Sequence, residues 1–166
     1  MTPQTPSRTR SANPLALEEQ VCFALSVGAR AVIAVYKPVL APMGLTHPQY
    51  LVMLALWEFE PLSVKRLAAA LQLDSATLSP LLKRLESRGL LTRERNPHDE
   101  RTLSVALTAK GRDLRKQALN VPPTILSKLG MSLEDLRSLH AHLTQVIAAA
   151  SQALEADAQS ESRVRA

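Results

Sequence analysis

The stretch from Ser63 to Thr108 reads SVKRLAAALQLDSATLSPLLKRLESRGLLTRERNPHDERTLSVALT and decides the fold class. Its first half holds two short runs of apolar residues at helical spacing, separated by a polar corner at Leu73-Asp74. Its second half holds two segments suited to β-strands, residues 91–95 and 102–107, joined by the turn-forming residues 96–99. This order predicts a winged helix-turn-helix, whose second helix is shaped to lie in the major groove of DNA.

The second helix of this pair is expected to have two different faces. Leucines at helical spacing form its inner face, Ser75 is expected to cap its start, and Gly89 is expected to end it. Pro80 is expected to disturb its first turn because proline lacks a backbone donor. The outer face is short, polar and basic, as a groove-reading helix requires, and consists of Ser75, Thr77, Ser79, Lys83 and Arg84. A solvated face has a similar composition, but the surrounding helix, corner and basic hairpin favour DNA binding.

Positive charge is concentrated on the hairpin, at Arg93, Arg95 and Arg101. An arginine at the tip of such a wing suits the narrow minor groove, whose potential is most negative in A·T tracts. Asp99 is expected to anchor the loop or to orient Arg101. The prediction is therefore that Arg101 enters a minor groove beside the major groove that the helix reads.

Helical patterns flank this stretch on both sides. A long amphipathic helix is predicted from the cap at Asn13-Pro14 to Lys37, ending before Pro38. Thr46 and Gln49 form a capping-box pattern ahead of an apolar helix that reaches Phe59. After the hairpin, a polar helix capped by Thr108 is predicted to break at Pro122-Pro123, and a last amphipathic helix is predicted to start after Ser132.

The domain organisation follows from these patterns. The fold class is mainly α with a small β-wing, and residues 46–114 form the winged helix-turn-helix lobe. The long first and last helices, within residues 13–45 and 115–156, are predicted to pair as a dimerisation region. Residues 1–12 are predicted to be a disordered arm, and residues 157–166 a frayed tail.

Composition limits the classes of function. The 166 residues carry a formal net charge of +5, which permits a polyanionic partner without proving one. The chain has one cysteine, Cys22, which excludes an intramolecular disulfide. His140 and His142 are two residues apart and make a poor metal pair, so no metal or cofactor is expected. The sequence pattern is not typical of a membrane span or a signal peptide, which predicts a cytoplasmic protein.

Several motifs resemble those of the MarR family of bacterial transcription regulators, over roughly Leu15 to Ala153. The Asp-Glu-Arg run at 99–101 is a general mark of that family. The runs from Gln20 to Leu25, from Pro48 to Leu51 and from Leu73 to Glu86 are more specific, and they resemble the organic-hydroperoxide-sensing OhrR branch.

This resemblance implies a homodimeric repressor that binds an inverted-repeat operator when reduced and leaves it on oxidation by organic hydroperoxide. The sensing cysteine falls on Cys22, and two tyrosines that usually hydrogen-bond it fall on Tyr36 and His47. The histidine is a departure from the branch, as is Ser26 at a position that is often aromatic. With no second cysteine the chain is similar to the one-cysteine type, whose oxidised form is a sulfenic acid, a mixed disulfide with a low-molecular-weight thiol, or an overoxidised acid.

Spacing adds an independent constraint on this sensor. Cys22 and Tyr36 lie on about the same face of one helix but roughly 21 Å apart along its axis, so any contact between them requires the partner chain. Two alternatives stay open. One is a repressor of the same family released by a reversible small ligand, with Cys22 structural. The other is a single-cysteine thiol peroxidase, against which no catalytic constellation surrounds Cys22.

Overall fold

The computed structural model describes the backbone of residues 13–96 and 99–164. It describes their side chains too, except those of residues 95, 96, 99–102 and 161–164. The described residues divide into two compact units, the first ending at Gln117 and the second beginning at Ala118. The predicted arm at residues 1–12 and the turn residues 97–98 lie outside the described residues.

The first long helix starts later and ends later than predicted. A 3-10 turn spans Leu17–Glu19, and α1 then spans Val21–Leu40. The predicted cap at Asn13 is wrong, because the Gln20 side chain donates to the carbonyls of Pro14 and Ala16 and holds this segment as a separate turn. The predicted end before Pro38 is also wrong. Proline removes only one backbone donor, and the helix still closes through Ala41 N–H to the Lys37 carbonyl.

A tight corner joins α1 to the next helix. A 3-10 turn at Ala41–Met43 ends at Gly44, whose φ of 65° lies in the left-handed region that favours glycine. Helix α2 spans His47–Phe59 and begins with the predicted capping box, in which Thr46 N–H donates to Gln49 Oε1 at 3.0 Å. Residues on both sides of the corner, including Leu40, Met43 and Leu45, are buried.

The helix pair has the predicted order with one corrected cap. Helix α3 spans Val64–Leu71 and is capped by Ser63, whose Oγ accepts from Arg66 N–H at 3.2 Å. Helix α4 spans Ser75–Ser87 and runs through Pro80. Its cap is Asp74 rather than Ser75, because the Asp74 carboxylate accepts from Thr77 N–H at 2.6 Å and leaves Ser75 as the first helical residue.

Three antiparallel strands form the wing sheet. Strand β1 spans Leu62–Ser63, β2 spans Leu91–Asn96 and β3 spans Asp99–Leu107, in the order β1-β3-β2. The register pairs Arg93 with Val105, and an irregularity follows Arg95. The two-residue strand β1 was not predicted, because it is too short to show an alternating pattern.

Helix α5, Ala109–Ala118, packs closely on the wing lobe. A Cβ at Gly111 would lie 2.0 Å from the Leu90 carbonyl oxygen, so only glycine fits at this approach. The Gly111 carbonyl accepts a hydrogen bond of 2.9 Å from Trp57 Nε1. The hydrogen bond anchors the start of α5 to α2, and the close approach packs it against Leu90, just before β2.

The second unit contains two helices. Helix α6 spans Val121–Leu129, where the sequence pattern instead predicts a break at the prolines 122 and 123. They lie in its first turn, where backbone N–H groups have no helical partner and proline is tolerated. Helix α7 spans Leu133–Val164 after the predicted cap at Ser132, and it continues past Asp157, where fraying was expected.

Much of α1 exposes apolar side chains. Val21, Phe23, Leu25, Val32 and Ile33 are each more than a third exposed in the single chain. The segment Val21–Met43 is long and apolar enough to cross a membrane by length and composition, contrary to the expectation from the sequence pattern. Length and composition also fit a helix that packs on another chain.

Candidate functional site

The outer face of α4 is open as predicted. The side chains of Ser75, Thr77, Ser79, Lys83 and Arg84 are all exposed, while Leu78, Leu82 and Leu85 on the inner face are buried. The Thr77 hydroxyl also lies 3.1 Å from an Asp74 carboxylate oxygen, to which it donates. A polar and basic face, on a helix whose opposite face packs in the core, can offer donors to base edges and phosphates.

The wing is tied to α4 by an ion pair that sequence reasoning missed. Arg93 Nε donates to Glu86 Oε2 at 3.0 Å, and its Nη2 donates to the same oxygen at 2.5 Å. The hydrogen bonds from Arg93 hold the pKa of Glu86 below its usual value. Arg93, predicted as one of the DNA-binding residues of the wing, therefore forms an ion pair with Glu86 in the single chain, and its role toward DNA stays a prediction. The side chains of Arg95, Asp99 and Arg101 lie outside the described residues, so their predicted roles stay predictions.

Three rings meet where α1 joins α2. Tyr36 and His47 make an edge contact with ring centroids 5.1 Å apart, and Tyr50 lies 6.1 Å from Tyr36. Burial lowers the pKa of His47 below its ordinary value of 6.5, so at neutral pH the imidazole is mainly uncharged. Burial raises the pKa of Tyr36, so its phenol stays protonated and can donate a hydrogen bond.

A cavity of about 560 Å³ opens beside His47. Its walls come from α1, the corner and the start of α2, and they are mostly apolar, with Ile33, Ala34 and Leu45 among them. Arg30 and Lys37 also line it. The site is therefore a pocket for apolar groups, with Arg30, Lys37 and His47 among the residues that line it.

Cys22 is not part of this pocket within one chain. It is exposed and lies in the first turn of α1, whereas Tyr36 lies in the same helix nearly four turns later. The structure thus brings two of the three predicted sensor residues together and leaves the third apart. Among the described residues, no group of three or more His, Cys, Asp or Glu side chains is arranged to hold a metal ion.

Two further residues of this site were missed from the sequence. Tyr50 lies three residues after His47 on α2 and so shares its face, a signal that helical spacing could have supplied. Glu86 is separated from Arg93 by a turn, and only the fold of the hairpin onto α4 shows that the two side chains meet.

Comparison with known proteins gives consistent matches. Residues 45–103 match the model of the MarR family. The organic hydroperoxide resistance transcriptional regulator of Bacillus subtilis (strain 168) is 46% identical over 127 residues, which cover 76% of this chain and 86% of that protein. The crystal structure of AbfR of Staphylococcus epidermidis superposes with a TM-score of 0.70 at 32% identity, covering 82% of this chain and 94% of AbfR. A structure of reduced AbfR bound to DNA matches with a TM-score of 0.65 at 34% identity, covering 79% and 91% of the two chains.

Proposed function

This chain belongs to the MarR family and is a transcriptional regulator of that type, and we propose that it is a cytoplasmic, homodimeric repressor switched by oxidation of Cys22. Reduced protein binds an inverted-repeat operator, and organic hydroperoxide releases it. The observation that carries this proposal is an exposed single cysteine at the start of α1 in a chain 46% identical to a regulator of organic hydroperoxide resistance. The family and the matched proteins are regulators rather than enzymes.

The DNA-binding part of the proposal is supported by the exposed polar face of α4. In a dimer, each α4 enters one major groove, with Lys83 and Arg84 placed toward the phosphates or base edges. The half-sites are then about one helical turn, roughly 10 bp, apart. The match to a DNA-bound structure of reduced AbfR supports the same mode for this fold.

The dimer is supported by the exposed apolar face of α1. Exposed apolar side chains on a long helix favour packing on another chain, and α7 carries further examples at Leu139, Val146 and Ile147. We propose that residues 13–45 and 115–156 supply this interface. A partner's α1 can then bring its Cys22 to the pocket formed by Tyr36 and His47.

The chemistry of release is a two-electron oxidation of sulfur. The Cys22 thiolate attacks the terminal peroxide oxygen, an S–O bond forms, the O–O bond breaks and, after proton transfer, an alcohol leaves. The product is a sulfenic acid, which a low-molecular-weight thiol converts to a mixed disulfide with loss of water. Near the thiolate, the Tyr36 hydroxyl and an N–H of neutral His47 are the donors that favour the ionised form.

The direct test compares wild type with Cys22→Ser in gel shifts on an operator duplex selected with the reduced protein. Wild type is expected to stop binding the duplex after treatment with cumene hydroperoxide. Dithiothreitol is expected to restore binding when the oxidised form is a sulfenic acid or a mixed disulfide, because both can be reduced to the thiol. Cys22→Ser is expected to stay bound in both conditions. Release of Cys22→Ser by the peroxide would contradict the proposal.

The cavity beside His47 favours a second candidate, a repressor released by a reversible small ligand. Its apolar walls suit a mainly apolar organic ligand. Release of Cys22→Ser from DNA by such a ligand, with no covalent change in wild type, would favour this candidate over the redox switch.

A further inference from the structure

Arg88 links the end of the DNA-reading helix to the end of the first helix. It is the residue that caps the C-terminus of α4. Its Nη2 donates to the Met43 carbonyl at 3.0 Å, and its Nη1 donates to the Gly44 carbonyl. Both carbonyls belong to the corner that follows α1. One guanidinium therefore spans two elements that are far apart in sequence.

The chemistry of this contact favours a stiff connection. Carbonyl oxygens at the end of a helical segment carry partial negative charge, and hydrogen bonds from a guanidinium to them are charge-assisted. Two donors of one planar group also fix orientation better than a single donor. The approach is close, since a Cβ built on Gly44 would lie 2.5 Å from Arg88 Nη2.

In sequence, the corner held by Arg88 lies between Tyr36 and His47, the two ring-bearing residues of the candidate sensor. Tyr36 is in the last turns of α1, before the corner, and His47 is the first residue of α2, after it. A change in how these rings pack can therefore displace the corner, because the elements that carry them are joined through it. Arg88 joins this corner to α4, and its own carbonyl, which accepts from Lys110 Nζ at 2.9 Å, joins the same point to α5.

We propose that Arg88 is a positioning residue that couples the Tyr36–His47 pocket to the DNA-reading helix. It sets the orientation of α4 for the operator in the reduced protein and carries the change produced by oxidation. This inference rests on the proposed redox function of Cys22. It assigns Arg88 no contact with DNA.

The test uses full-length dimer and measures Kd for the selected operator duplex before and after one equivalent of cumene hydroperoxide. Mass spectrometry of each sample gives the oxidised fraction of Cys22. Arg88→Met keeps the aliphatic stem without the donors, Arg88→Lys keeps the charge without the paired donors, and Arg115→Met is a matched control on the exposed side of α5. Thermal melting confirms that each variant folds.

For wild type, we expect the ratio of oxidised to reduced Kd to fall within the usual range of allosteric coupling, about 5–150-fold. Arg88→Met should reduce this ratio to less than about half of the wild-type value at equal Cys22 oxidation, and Arg115→Met should preserve it. The slope of log Kd against log salt should not change in Arg88→Met, because no phosphate contact is removed.

Four results would overturn the inference. If folded Arg88→Met keeps the wild-type ratio of oxidised to reduced Kd, Arg88 does not couple the two sites. If the slope of log Kd against log salt falls by about one unit in Arg88→Met, Arg88 binds phosphate instead. If Arg88→Met does not fold, Arg88→Lys decides. A ratio of oxidised to reduced Kd equal to that of wild type would contradict the proposal, and a smaller ratio would support it. If wild type keeps its operator affinity with Cys22 oxidised, the proposed redox function itself fails, and this coupling role fails with it.

Discussion

The ring of Tyr36 meets the imidazole of His47 edge-on, with centroids 5.1 Å apart and ring planes inclined by 73°. The contact brings together the C-terminal part of α1 and the first residue of α2, and His47 also lines the cavity beside it. Cys22, nearly four helical turns before Tyr36, is exposed. The proposed sensor therefore requires a second chain to bring Cys22 to these rings, and this requirement can be tested.

A mixed dimer distinguishes a pocket shared between chains from one within a chain. We expect that, when a Cys22→Ser chain is paired with a Tyr36→Phe chain, the remaining Cys22 reacts with iodoacetamide at the wild-type rate. The reason is that a shared pocket joins this cysteine to the intact Tyr36 of the other chain. The Tyr36→Phe homodimer is the control and should react more slowly, because a donor to the thiolate is lost. Equal, slow rates in both dimers would exclude the shared pocket.

His47 should make the reactivity of Cys22 depend on pH. Burial lowers the pKa of His47 below 6.5, so the imidazole gains charge only as pH falls below that value. The cation favours the thiolate more strongly than a neutral donor does. From pH 7 to pH 5.5, the alkylation rate of wild-type Cys22 should therefore fall less steeply than that of His47→Tyr. Coincident pH profiles for the two proteins would remove His47 from the sensor.

Arg93 and Lys83 should differ in how their loss changes binding to DNA. Lys83 is exposed on α4, whereas Arg93 is held by Glu86. Lys83→Ala should weaken operator binding and reduce the slope of log K against log salt by about 1, as expected for one lost phosphate contact. Arg93→Ala should weaken binding by freeing the wing, with little change in that slope. Fluorescence anisotropy over a series of salt concentrations measures both, and an equal loss of slope for the two variants would contradict this assignment.

Arg101 is expected to read the width of the minor groove rather than to add charge alone. In operators whose flanks are changed from A·T to G·C, wild type should lose affinity, because the minor groove becomes wider and less negative. Arg101→Ala should bind both operators with nearly equal affinity. Arg84→Ala is a suitable comparison, since it removes the same charge from the major-groove helix. Retained A·T preference in Arg101→Ala would exclude this role.

Local patterns in the sequence predicted much of the fold. The caps at Ser63, at Thr46 with Gln49, and at Ser132 are confirmed, because each depends on residues within one helical turn. The predicted start of the first helix was wrong because a side chain bonded to nearby backbone carbonyls. Gln20 bonded to carbonyls before it and displaced the predicted helix start from Asn13.

The candidate site was less predictable because its contacts are between elements. Arg93 pairs with Glu86, and Arg88 donates to the Met43 carbonyl at the corner. Both contacts form only once the separate elements have folded together. The position of Tyr36 near His47 depends on how the chain turns after Leu40. A sequence pattern can name such residues, but only their placement in the fold shows which of them meet.

The central claim is that oxidation of Cys22 alone switches DNA binding. The most direct measurement adds stoichiometric cumene hydroperoxide in steps and, on each sample, determines the oxidised fraction of Cys22 by intact-mass spectrometry and the fraction of operator bound by gel shift. The account predicts that bound operator falls as oxidised Cys22 rises, and that the methionines remain unmodified. Full operator binding by protein in which Cys22 is fully oxidised would contradict it.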